Sequence, residues 1–169
     1  MIGFITRYVR FVDAMNRRLG RAVMYLLFVM MGILLYSSIS KTFFTPSLWT
    51  LEMAQFTLTA YYILGGSYSL QLGSNVRMDL FYSRWSDRTK LTVDSFTVIF
   101  LIFYLGTLLY GGLSSTAYAL EYGERSYSAW RPYMAPIKII MCVGLVCMIA
   151  QASAQLCKDV ARLKGMTLS

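Results

Sequence analysis

The sequence predicts an all-α integral membrane protein with four transmembrane helices, an N-terminal amphipathic interfacial helix and both termini in the cytoplasm. Composition is the first ground for this. Of the 169 residues, 57% are hydrophobic and only 14% charged, whereas soluble domains carry about 25% charged residues. The second ground is distribution: Ala22–Ser40, Met53–Val76, Ser95–Leu120 and Ile139–Cys157 carry no charge. Crossing a hydrocarbon core of about 30 Å takes about 20 helical residues. Backbone groups in lipid must be satisfied internally, so a crossing segment is a helix or part of a closed barrel. Barrel strands alternate polar and apolar residues over about 10 positions, and these runs do not. The third ground is the asymmetry of the cations. Arg7, Arg10, Arg17, Arg18 and Arg21 precede the first run, Arg77, Arg84, Arg88 and Lys90 separate the second from the third, and Lys158, Arg162 and Lys164 follow the fourth. The opposite side has only Lys41, Arg125, Arg131 and Lys138. Basic loops stay inside, which puts the termini and the central loop in the cytoplasm. The net charge of +8 therefore reports topology and contact with anionic membrane lipids, not a nucleic-acid partner.

The chain reads as a single membrane domain over 1–169. Residues 2–19 place Phe4, Ile5, Tyr8, Val9, Phe11, Val12, Met15 and Leu19 at helical spacing, with Arg7, Arg10, Asp13, Asn16, Arg17 and Arg18 largely opposite. That pattern predicts an amphipathic helix lying in the inner interface, or packed on a partner. The first span is expected over about 22–43. Pro46 ends it, Ser47 or Thr50 is a candidate cap for the second, and Glu52 falls in that helix's first turn, where a carboxylate suits the helix dipole. The second span, about 52–76, has Gly65, Ser69 and Gly73 at intervals of four. Small residues on one face let another helix approach, so these mark a packing seam within the bundle or toward a partner. Gly111 with Ser115, and Gly112 with Thr116, repeat the spacing in the third span, about 93–120. The charge-free part of that run alone would be about 39 Å long as a helix and must tilt or protrude. The fourth span covers about 134–157, with Pro132 and Pro136 flanking its start.

The charged island at 77–92 is expected to be a cytoplasmic loop, with Ser86 as the N-cap of the third helix. Arg77, Asp79 and Arg84 are candidate structural or subunit-interface residues there. On the outer side, Trp49, Glu52, Arg125, Trp130 and Arg131 are candidates for contact with a partner. Lipid anchoring serves the tryptophans equally well, since all three tryptophans fall outside the charge-free runs.

Chemistry is poorly provided for. There is no histidine, which removes the usual haem ligand and general base. Cys142, Cys147 and Cys157 form no C-x-x-C pair, so buried apolar thiols are expected and no cofactor or metal. No Asp, Glu, Lys or Arg lies within a charge-free run and none of those runs contains proline, unlike transporters with a midplane site between broken helices. The reading is of a non-enzymatic membrane subunit.

The stretch "GGSYSLQLGSNVRMDLFYSRWSDRTK" at 65–90 resembles the small permease subunit of tripartite ATP-independent periplasmic (TRAP) transporters. The resemblance rests on Val76, Arg77, Met78, Asp79, Leu80, Tyr82, Ser83, Arg84, Ser86, Arg88 and Thr89 in order, with Glu52 and "SYSAWRPYMAPIK" agreeing. Asp87 stands where proline is frequent in the family. The resemblance implies a subunit of the bacterial inner membrane. Its partners would be a large, elevator-type permease subunit that carries the substrate and sodium sites, and a periplasmic binding protein that delivers an organic acid. Here the small subunit would enlarge the static scaffold. A tetraspan structural or assembly protein without a transport role is the alternative, and a cofactor-bearing anchor ranks behind both.

Overall fold

A computed structural model describes residues 2–73 and 87–163. It consists of α1 (Ile2–Phe43), α2 (Thr50–Leu72), α3 (Asp87–Glu121) and α4 (Ala135–Leu163). Among the described residues, three stretches are long and apolar enough to cross a membrane by length and composition: Ile5–Phe43, Thr92–Glu121 and Ala135–Ala161. With 23 residues, α2 is about 34 Å long, enough to cross, but Gln55, Thr57, Thr59, Ser67 and Ser69 make it more polar. Its position explains the composition: α2 packs between α1 and α4, and most of its side chains are half-buried against protein.

The hub is α4, which packs on α1, α2 and α3, whereas α3 makes extended contact with α4 alone. Small residues permit this. Ala152 and Ala154 are essentially fully buried, and Val9, Val12 and Ala154 form a core cluster flanked by Ile5, Ala150 and Cys157. At Gly144 an added Cβ would lie 2.4 Å from Ile63 Cγ2 and 3.2 Å from the Ile63 carbonyl. No side chain fits there, so this glycine sets the distance between α2 and α4. Gly20 of α1 accepts the face of Tyr68 in the same way, with an added Cβ falling 2.4 Å from the ring. On the outer faces of α1 and α3, Phe28, Phe103 and Tyr110 are at least 66% exposed, a surface suited to lipid or a partner rather than water.

Where the sequence suggests an interfacial helix followed by a separate span, α1 is one unbroken helix of 42 residues. The reason is phase. Val9, Val12, Asn16, Gly20, Val23, Ser37 and Ser40 are all buried, with half-buried Leu26, Met30 and Ile33 filling the interval, at steps of three or four. One helical face therefore docks without a jump, and Gly20, at the junction of the two expected segments, is held by Tyr68. Asn16, placed on the polar face by the sequence pattern, lies in that buried stripe and is 0% exposed. Phe11, assigned to the apolar face, is 67% exposed.

Candidate functional site

The polar side chains gather at the two ends of the bundle. At the end where α1 begins and α4 finishes, Asn16 Nδ2 donates to Gln151 Oε1 at 2.7 Å. Gln151 Nε2 donates to Asp13 Oδ1 at 3.0 Å, and Lys158 Nζ pairs with Asp13 Oδ2 at 2.6 Å. From α2, Gln71 Nε2 donates to the Asp13 backbone carbonyl at 3.1 Å, and Tyr8 and Ser153 share a hydroxyl bond of 2.9 Å. Helical spacing builds this clamp: Asp13 and Asn16 are three apart on α1, and Gln151 and Lys158 lie two turns apart on α4. Gln151 is 0% exposed, so its amide is satisfied by α1 rather than by solvent. The acceptors Asn16 Oδ1 and Gln71 Oε1 have no partner among the described residues.

At the opposite end, hydroxyls close the α1–α2 turn. Thr50 Oγ1 donates to Ser37 Oγ at 3.1 Å and shares a 2.9 Å bond with Ser47 Oγ, while Ser40 Oγ donates to the Thr45 carbonyl. The N-cap of α2 is Trp49, without a side-chain cap bond; the Thr50 hydroxyl is committed to α1 instead. Residues 122–134 fold over the bundle through an antiparallel bridge between Arg125 and Tyr133. Ser126 N bonds the Pro132 carbonyl and Met134 N the Glu124 carbonyl. This loop is fastened by Glu52, 7% exposed, whose Oε1 accepts from Ser126 Oγ at 2.7 Å while Oε2 has no partner among the described residues. A second fastening is the ion pair of Lys138 with Glu124.

These placements divide the residues singled out from sequence. Glu52 is a buried latch for the 122–134 loop rather than an exposed contact. Trp49 stacks on Tyr36, with centroids 5.7 Å apart. Arg125 lies 4.3 Å over the Tyr133 ring, and Trp130 and Arg131 are exposed, Arg131 with a φ of 49°. In α2, a Cβ added at Gly65 would lie 3.8 Å from Val23 Cγ1 and Ser69 is half-buried, but Gly73 is the left-handed C-cap at φ 64°. The tighter seam runs through Gly66, where Met148 Sδ would lie 3.1 Å from an added Cβ. Arg77, Asp79 and Arg84 lie outside the described residues. Sequence reasoning missed Asn16 and Gln151; a glutamine inside an otherwise apolar run was the available signal, since polar side chains there bind helices together.

No nucleophile–base pair occurs in either cluster, and among the described residues no group of His, Cys, Asp or Glu could hold a metal ion. Both arrangements tie helices and loops to one another. A family model for the DctQ component of tripartite ATP-independent periplasmic transporters matches residues 30–162. No curated protein and no solved structure matches the chain.

Proposed function

The chain belongs to the DctQ family, the small membrane component of tripartite ATP-independent periplasmic transporters, and from that premise we propose that it is a non-catalytic scaffold subunit. The match from 30 to 162, which takes in the last third of α1, all of α2 and α3 and nearly all of α4, carries this reading. In the proposed role the chain sits in the bacterial inner membrane with α2 as a fourth crossing and both termini in the cytoplasm. It extends the stationary part of a large permease subunit that moves substrate by an elevator motion. The absence of ionisable residues from its four apolar runs supports a division of labour in which an organic acid and its coupling sodium bind elsewhere. Trp49, Arg125, Trp130 and Arg131 face the periplasm and offer a surface to the binding protein. Arg77, Asp79 and Arg84 act in assembly with the large subunit.

Co-expression tests the proposal. The tagged chain should bring down a much larger multi-span partner, and proteoliposomes should need both for binding-protein-dependent uptake. Uptake by this chain alone would sink it. Charge reversal at Arg125 and Arg131 should slow uptake; unchanged uptake would remove the docking role. Asp79→Ala should lower recovery of the large subunit.

A further inference from the structure

The joint where α1 begins and α4 finishes holds two buried oxygens that the described chain does not satisfy. Asn16 is 0% exposed, and its Oδ1 has no hydrogen-bond partner among the described residues. The same holds for Gln71 Oε1 on α2, an oxygen shut off from solvent on a half-buried side chain. Buried polar atoms are nearly always bonded to protein or to ordered water, so each of these calls for a donor.

Neither oxygen is a misplaced nitrogen. The carboxylate and the backbone carbonyl of Asp13 can only accept. Gln151 must therefore turn its NH2 to the carboxylate, which leaves its Oε1 to face Asn16, and Asn16 must meet that oxygen with Nδ2. Gln71 must likewise present Nε2 to the Asp13 carbonyl. Turning any of these amides over would set oxygen against oxygen. Both orphans are true acceptors, held in place by the bonds of their own nitrogens.

The two also belong to one rung of α1. Gln71 sits on the Asp13 carbonyl, and a helical carbonyl points along the chain toward the next turn, where Asn16 stands on the same face. With its nitrogen committed to α4, Asn16 keeps its oxygen for the α2 side. What joins them must be small and must bring two donors. A lipid acyl chain has none. A metal ion is poorly served, because oxygen-bound cations such as calcium and magnesium take about six or more ligands, and the carboxylate here is already paired with Lys158 at 2.6 Å. Water has two donors and is the usual partner of such groups.

We propose that a single buried water bridges Asn16 Oδ1 and Gln71 Oε1, and that through it α2 is bonded into the joint between α1 and α4.

A structure of the purified full-length protein that resolves ordered solvent tests this directly. It should show one solvent peak within about 2.5–3.0 Å of both oxygens. No peak, separate peaks that each touch one oxygen, or a side-chain donor in that place overturns the proposal. Gln71→Leu reads the bridge in solution. It should lower the thermal midpoint in detergent, and the same change made on Asn16→Leu should lower it by no more than about half as much, since sites that share a partner are not additive. Made on Thr50→Val, about 31 Å away along α2, it should have its full effect, because distant sites add. Equal shifts in all three backgrounds overturn the bridge. Replacing sodium by potassium or choline at constant ionic strength should leave the midpoint unchanged. A rise specific to one metal ion assigns the site to that ion and overturns the water.

Discussion

The two ends of this bundle are held by different means. Where α1 begins and α4 finishes, side chains 135 or more positions apart in sequence bond directly, helix to helix, through Asn16, Gln151, Asp13 and Lys158. At the other end a loop is laid over the helices and fastened by Ser126 to Glu52 and by Glu124 to Lys138. The first arrangement can yield only if α1 and α4 separate. The second can open while every helix stays in place. The contrast teaches that similar polar chemistry gives a rigid joint or a detachable cover, depending on whether both partners stand on helices.

The largest effect is expected at the helix-to-helix end. Gln151→Leu orphans the buried Asn16 amide and takes one donor from Asp13, at about 1–3 kcal/mol for each group left unsatisfied. A clear fall in thermal midpoint in detergent should follow. Adding Asn16→Leu should recover much of it, because replacing both partners by apolar groups is nearly neutral; a double variant worse than the sum would mean that the clamp does more than satisfy itself. Glu52→Ala should act differently. It removes one charge-assisted bond but also a buried carboxylate oxygen without a partner, so the thermal midpoint should move little. Hydrogen exchange at residues 124–134 should nevertheless rise markedly. A global loss of stability instead would erase the distinction between cover and joint. The smallest effects belong to the ion pairs. Lys158→Met and Lys138→Met break contacts that are 17–31% exposed, and each should cost at most about 1 kcal/mol, less in high salt. Equal small shifts at both ends would show that the inequality lies in the amides, not the charges.

Much of the fold was legible in the sequence because hydropathy is local. The apolar runs reappear as helices wherever the residues are described, and a Cβ added at Gly112 or Gly65 would meet a neighbouring helix. The misreadings arose where the deciding neighbour was distant. Asn16 reads as part of a polar face until Gln151, on another helix, buries it. Glu52 does stand in the first turn of α2 as its position suggested, but only the folded chain shows that it also holds Ser126 of the 122–134 loop. Gly73 fits a spacing of four, yet it ends α2, and only the backbone angle reveals that. Periodicity tells which face of a helix is apolar; it does not say which polar side chain will find its partner on another element.

The continuity of α1 has a mechanical consequence. At 42 residues it is about 63 Å long, roughly twice the hydrocarbon thickness, with no proline to kink it. A beam without a hinge cannot bend locally. Any tilt forced on its arginine-bearing end must also move the turn at Phe43, so α1 can travel only as a whole. In the scaffold role proposed above, such a member would keep the frame square.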